Sequence, residues 1–269
     1  MIRRAEQWFG LARSLIIYWR PGRQRGLRGH YRPFLGAGDL AFDVGAHLGD
    51  RTMAFRKLGA RVVALEPQPT VRRWLTLLVG RSGAVSVRAE AVGRAVGTAR
   101  LALSRRTPSM STLAEDWPTK LSERNPEFSG VRWDDSVTVP VTTLDALIEQ
   151  YGLPRFCKID VEGYEAEVLA GLSHCIPALS IEFVIGALDV AEACVRRLEA
   201  LGEYEFNVVQ GEERIFMSKQ WLAADEIVAK LRDGGWRVSS GDVYARLTSE
   251  TDLTRKDEYR LVTGGSIDD

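Results

Sequence analysis

Cysteine is scarce in this chain: three among 269 residues, Cys157, Cys175 and Cys194. None stands in a Cys-x-x-Cys pair and the count is odd, so neither a disulfide framework nor a zinc site is supported. The three read as small core residues. Long apolar runs are also missing. No stretch approaches the roughly 20 residues needed to span a bilayer, and residues 14–19 are too short for a secretory h-region, so a cytoplasmic protein is expected. Net charge is absent overall, with 36 Lys and Arg against 36 Asp and Glu. The dinucleotide signature GxGxxG is absent, and so is a Tyr-x-x-x-Lys dyad after the central strand. Both absences count against an NAD- or nucleotide-sugar-binding oxidoreductase, the alternative of another class; a catalytically silent binding module is the other.

The balanced charge hides an uneven distribution. Residues 1–38 hold eight arginines (3, 4, 13, 20, 23, 25, 28 and 32) against Glu6, a surplus of seven, and the remainder is net acidic by the same amount. Because the basic charge is confined to one end, no nucleic-acid partner is expected. In "AEQWFGLARSLIIYW" the apolar residues Trp8, Leu11, Leu15, Ile16 and Trp19 recur near helical spacing with arginines between and beside them, the pattern of a basic amphipathic helix. Such a helix fits peripheral contact with an anionic membrane surface, an anionic substrate, or the domain's own core.

What is abundant is alternation. Short apolar runs at 40–44, 61–66, 84–92, 156–160, 178–184, 204–209 and 242–247 are separated by helical stretches at 50–58, 70–79, 143–151, 163–172, 189–201 and 222–233. Strand, helix, strand in repetition implies parallel pairing with right-handed crossovers, hence a doubly wound α/β sheet. Three parts are expected: a basic helical extension over 1–38, a main domain over 39–247, and a polar tail over 248–269. Residues 93–104 suggest a turn and a short antiparallel addition. The polar, proline- and tryptophan-bearing stretch 105–135 suggests an insert or lid.

In "LAFDVGAHLGD" a buried run ends on Asp43 and turns through Gly45 and Gly49. In an open parallel sheet, ligands sit beyond the carboxyl ends of the strands. Gly45 suits the tight turn and Gly49 the close approach of a helix to a ligand. The spacing DxGxxxG lacks the close glycines that make room for a pyrophosphate. Glu66 ends the second run, 23 positions after Asp43. That is near the ~20 expected of an acid gripping ribose hydroxyls. Glu90 and Ala91 follow the third run, where an adenine would lie. Ribose and adenine without pyrophosphate suggest S-adenosylmethionine. In "FCKIDVEGYE", Lys158, Asp160 and Glu162 alternate around the end of a central strand where unpaired charge is costly, and Glu182 interrupts the apolar run of the next. A buried Lys158–Glu182 ion pair is expected.

"FDVGAHLGD" with "ALEPQP" resembles class I S-adenosylmethionine-dependent methyltransferases. "AVGRAVGTARL", "VTTLDAL", "KIDVEGYEAEVLAGL" and "SIEF", in that order, resemble the FkbM-type subfamily. The resemblance runs from about residue 39 to 247. It implies a Rossmann-like, seven-stranded, mostly parallel sheet with the last strand antiparallel. It also implies S-adenosyl-L-methionine as cofactor, held by Asp43, Gly45, Ala46, His47, Gly49, Glu66, Pro67, Glu90, Ala91 and Asp160. His47 stands where asparagine is more usual. The acceptor it implies is a small-molecule or glycan hydroxyl, with O-methylation of a sugar or natural product. Ser109, Ser111 and Thr112 resemble a serine-rich element near the cleft. Ser111, Thr112 and Glu162 are the substrate-side candidates; as isolated hydroxyls the first two also suit a turn. Methyl transfer to an alcohol needs a base, for which Asp160 and His47 are the candidates. Asp160 could instead hold the methionine amino group, or join Glu162 around Mg²⁺. No metal is assigned. His30 and His174 read as surface or capping residues.

Overall fold

The structure, a computed structural model, describes residues 2–80, 83–115, 117, 125, 130–233, 236 and 239–248. The Trp8 side chain and the tail 249–269 lie outside the described residues. Seven strands form the main sheet: β1 (Leu40–Val44), β2 (Arg61–Leu65), β3 (Val85–Arg88), β7 (Phe156–Ile159), β8 (Ala178–Val184), β9 (Tyr204–Gln210) and β10 (Ser240–Leu247). Their order is β3-β2-β1-β7-β8-β10-β9, with β10 antiparallel to both neighbours and the other pairs parallel. The expected Rossmann-like α/β sheet is therefore present. The chain runs outward from β1 through β2 to β3, then returns to lay β7 on the other flank of β1. This reversal opens a crevice at the carboxyl ends of β1 and β7.

Side-chain alternation splits the core in two. Phe42, Val44, Cys157, Ile159, Leu179 and Ile181 face α5 (Leu144–Tyr151), α6 (Glu165–Ala170), α7 (Leu188–Leu201) and α8 (Ala224–Arg232), forming one aliphatic cluster. Ala41, Phe156, Ala178 and Tyr244 face the other way, onto α2 (Arg23–Tyr31) and α3 (Asp50–Lys57). There Tyr31 meets Phe55 edge to face at 4.7 Å, and Phe156 at 5.5 Å. Each buried ring removes 150–250 Å² from water, roughly 4–6 kcal/mol of gross hydrophobic gain before ordering costs. With Leu27, Tyr31, Phe34 and Leu35 inside this cluster, the second half of the 1–38 extension is part of the main core. His30 belongs there too, not at the surface: its ring contacts Tyr31, Phe34, Phe216 and Tyr244. Its Nδ1 donates to the Arg214 carbonyl at 3.2 Å, which leaves Nε2 to accept from the Tyr244 hydroxyl at 2.8 Å. Burial lowers its pKa to about 4 and keeps it neutral. The exposed His174, by contrast, sits beside Asp145 at the start of α5.

The expected run 84–92 is two strands. β3 ends at Arg88, and β4 (Ala91–Val92) joins a separate three-stranded sheet of order β4-β6-β5, with β5 at Gly97–Leu103 and β6 at Asp135–Thr142. The break falls where the Glu90 carboxylate folds back onto the Arg88 guanidinium and the Ala89 N–H. β6 is the element that the sequence pattern concealed, because Pro140 interrupts it. The proline is tolerated because β4 pairs only with Val141 and Thr142, leaving that side of Pro140 open.

The β1 and β7 turns touch backbone to backbone. Gly45 has φ +80°, and a Cβ there would lie 1.8 Å from the Asp160 carbonyl oxygen. The expected outcome of Gly45→Ala is a loss of about 3 kcal/mol of unfolding free energy, from the positive φ and the clash together, measured by denaturant titration. A loss below about 1 kcal/mol would show that the two turns can separate.

Candidate active site

A cavity of about 310 Å³ lies at the carboxyl ends of β1, β2, β7 and β8. That falls within the range of about 300–1,000 Å³ usual for ligand pockets. Its wall includes Asp43, Gly45, Ala46, His47, Glu66, Pro67, Glu90, Ala91 and Asp160 from the expected cofactor set, with Ser111 and Glu162 from the substrate set. Two expected residues are not on the wall. A Cβ on Gly49 would meet Leu75 at 2.4 Å and Val79 at 2.7 Å, so that glycine lets α3 approach α4 (Pro69–Val79). Thr112 is buried, its hydroxyl donating to the Glu162 carbonyl at 2.7 Å and accepting from the Ala114 N–H at 3.0 Å. It positions the Glu162 turn from behind.

The floor is a row of charge on the aromatic face of the sheet. Asp43 is in register with Lys158, Lys158 with Ser180, and Glu182 with Asp242. Lys158 is 2% exposed. It does not pair with Glu182 as expected: its Nζ is 2.5 Å from Asp160 Oδ2. Asp160 continues the extended course one residue past β7, its N–H donating to the Val44 carbonyl, so its side chain falls on the Lys158 face and its carboxylate lies nearest the ammonium. Glu182 instead donates a hydrogen bond to Asp160, since burial and the neighbouring Asp160 and Glu162 charges push its pKa far up and keep it protonated. Against the upward push of burial, Lys158 and these hydrogen bonds hold Asp160 below the usual carboxylate range. Glu162 is raised by burial and by Asp160 and Glu165. Oxygens of Asp160, Glu162 and Glu182 lie within 4.8 Å of one another, so this is the group that could hold a divalent cation.

Glu66 is 7% exposed, with each carboxylate oxygen already held by backbone: Oε2 accepts from the His47 N–H at 3.0 Å and Oε1 from Gln68 at 2.8 Å. The second lone pair of each oxygen remains for two ligand donors. Burial raises its pKa to about 7 despite those bonds. His47 has φ +46°, and its buried Nε2 has no partner among the described residues. Desolvation lowers its pKa to about 4, so the ring is neutral.

Glu162 is the other non-glycine residue at positive φ among the described residues, at +56°. It is followed by Gly163, where a Cβ would lie 2.0 Å from the Trp117 ring. Strained residues of this kind persist where packing over-determines them, commonly at functional sites. Here Trp117 and Thr112 supply the packing. Pro108, Ser109, Met110, Ser111 and Leu113 form one wall of the cavity. The Ser111 hydroxyl bonds to the Pro108 carbonyl at 3.1 Å and closes its own turn. Four other wall residues, Tyr18, Arg51, Glu212 and Asp242, belong to no motif legible in the linear pattern. Arg23 (2% exposed) joins Asp50 and Glu212 at 2.7 Å each, and Arg51 joins the same two acids at 3.0 and 2.9 Å. This network ties the junction of α1 (Ile2–Tyr18) and α2 to the rim. The one available signal was the density of arginine before residue 38.

Nine carboxyl side chains line the cavity against two cations, Arg51 and Lys158. That wall suits a ligand bearing positive charge. Glu66, with a spare lone pair on each oxygen, suits adjacent hydroxyls. The unpartnered His47 Nε2 offers a further polar contact. S-adenosylmethionine presents a sulfonium, an ammonium and a ribose diol, so the residues fit it.

The domain model described as "Methyltransferase FkbM domain" matches residues 43–238. No curated protein matches the chain. Among solved structures, a precorrin-6y C5,15-methyltransferase from Geobacter metallireducens is similar at 13% identity, covering 84% of this chain and 87% of that one, with a TM-score of 0.42. A SAM-dependent O-methyltransferase from Thermotoga maritima is similar at 9% identity, covering 82% of this chain and 63% of that one, with a TM-score of 0.39. The oxidoreductase alternative is not favoured. The chain belongs to the FkbM family of S-adenosylmethionine-dependent methyltransferases.

Proposed function

We propose that the enzyme methylates a hydroxyl oxygen on a small molecule or glycan. The observation that carries this reading is the group Asp160, Glu162 and Glu182, whose oxygens approach within 4.8 Å at the cavity wall. S-adenosylmethionine supplies an electrophilic methyl group on a positively charged sulfur. An alcohol acceptor must lose a proton as it attacks, so proton acceptors beside the cavity are what the reaction requires. Asp160, held low by Lys158, is a weak base and serves to attract positive charge. Glu162, protonated in the empty cavity, is pulled toward ionisation by a cation brought nearby and then accepts the proton. The neutral His47 is the second acceptor. Glu66 orients the ribose hydroxyls, and the Pro108–Ser111 wall positions the acceptor.

Calorimetric titration with S-adenosylhomocysteine and with NAD tests the cofactor half. Binding of the first and not the second is expected; the reverse preference would overturn it. Ligand hydroxyls donate to ionised Glu66, whose pKa in the empty site is about 7. Affinity is therefore full above that pH and declines below it, approaching tenfold per pH unit. Glu66→Gln removes this slope and weakens binding about 10- to 100-fold at pH 8, as loss of a charged hydrogen bond entails.

For the chemistry, Glu162→Gln matches the protonated form in shape and charge. It is expected to lower turnover about 10²- to 10⁴-fold while leaving S-adenosylhomocysteine affinity within about threefold. Labelled methyl groups transferred to cell extract should survive mild alkali, as an ether does. Label released as methanol, or recovered on nitrogen, contradicts oxygen-ether formation.

A further inference from the structure

Helix α1 has two unlike faces. Leu11 is buried, and with Leu15 and Trp19 it packs on Leu48, Val71, Trp74 and Leu78. The Trp19 indole N–H also donates to the Leu48 carbonyl at 3.2 Å. The outward face carries Phe9 at 76% exposure, Ile16 at 74% and Ile17 at 39%. Arg13 and Arg20 are exposed among them. Phe9, Arg13 and Ile16 follow at steps of four and three, so they form one stripe along the helix, and Arg20 stands two residues beyond its end. Arg13 and Arg20 meet no carboxylate among the described residues, unlike Arg23 just beyond, which is buried in its two ion pairs.

The position of this face matters as much as its composition. Tyr18, at the end of α1, lines the cavity, and its ring meets the His47 ring at 5.4 Å. Gly10 lies so close to the insert that a Cβ would be 2.8 Å from both the Arg106 carbonyl oxygen and Pro108. The helix is thus a fixed part of the cavity rim, braced from beneath, with apolar side chains and cations turned outward.

We propose that α1 docks on the surface of an anionic lipid bilayer, inserting Phe9, Ile16 and Ile17 among the acyl chains while Arg13 and Arg20 meet the headgroups, and that this brings the cavity mouth to acceptors displayed there. The charge decides the occupant. A second copy of this chain would set the same arginines against each other, whereas an anionic headgroup layer complements the exposed Arg13 and Arg20. Interfacial helices bind through buried apolar area plus attraction to anionic lipid, and this face offers both. The inference rests on α1 and its placement, and it stands independently of the acceptor chemistry above.

The test is co-sedimentation of the full chain with vesicles of phosphatidylcholine alone or mixed with phosphatidylglycerol. Two variants accompany it, Phe9→Ser with Ile16→Ser, and Arg13→Gln with Arg20→Gln. The wild-type chain is expected in the pellet with mixed vesicles and in the supernatant with phosphatidylcholine. Each variant is expected to lower partitioning about tenfold or more, the arginine variant losing its salt dependence as well. Because all four residues are exposed, both variants should unfold at the wild-type temperature. A wild-type chain that ignores mixed vesicles overturns the proposal, and so does binding that neither variant weakens. Concentration-dependent dimerisation abolished by the serine variant, without vesicle binding, would assign the face to self-association instead.

Discussion

The site depends on one buried cation. Lys158 stands in the middle of the sheet, 2% exposed, with its ammonium against Asp160 and with Asp43 in register on the neighbouring strand. An ammonium taken out of water without a partner costs several kcal/mol, and so does each carboxylate around it. Together they are tolerable, and the arrangement is mutually enforcing. Lys158 keeps Asp160 ionised, Asp160 keeps Lys158 charged, and Glu182 is left to hold its proton and donate it to the same carboxylate. The acid-rich wall can therefore exist without every acid being charged at once. Ionised and protonated acids therefore stand side by side on the cavity wall.

The two faces of the sheet divide the labour. The aliphatic face, under α5 to α8, carries no charged side chain from the central strands and supplies plain hydrophobic stabilisation. The other face changes character along its length. Near the start of the strands it is aromatic, with Tyr31, Phe34, Phe55, Phe156 and Tyr244 packed ring against ring. Toward the carboxyl ends it becomes ionic, with Asp43, Lys158, Asp160, Glu182 and Asp242. The aromatic layer lies beneath the ionic one, and burial pushes the pKa of Asp242 up to about 6 and the Glu66 pKa to about 7. The amino-terminal segment is needed for both layers: α2 contributes Tyr31 to the first, and Arg23 secures the second through Asp50 and Glu212.

Tight backbone approaches position these groups. Gly45 lets the β1 turn lie on the Asp160 carbonyl, and Gly163 lets Trp117 sit flat on the turn that holds Glu162 in a left-handed conformation. Thr112 ties that turn to the insert through the Glu162 carbonyl. The insert is consequently both a wall and a clamp, since the residues that would contact an acceptor belong to the segment that stabilises the Glu162 geometry.

Much of this was legible in the linear pattern. Runs of buried residues alternating with 3.6-periodic stretches determine a parallel sheet, because only that layering covers both faces. An acid at the end of β1 followed by a glycine turn points to the carboxyl rim of the sheet as the place for a ligand. Asp43, Glu66, Glu90 and Asp160 converge on one cavity because strands of a parallel sheet deliver their carboxyl ends to one rim. Other features needed contacts between segments distant in sequence. Lys158 chose Asp160 over Glu182 because ion pairing depends on distance, and the strands' spacing is not written in either residue. Thr112 became a brace and Gly49 a helix-packing residue because hydroxyls and missing side chains take their roles from whichever atoms lie opposite. β6 stayed hidden because Pro140 is acceptable only on an unpaired edge, and which edge is unpaired is a property of the assembled sheet. Composition and periodicity determined the layers and the rim; the division of charge among the acids was decided by burial, which only the folded chain possesses.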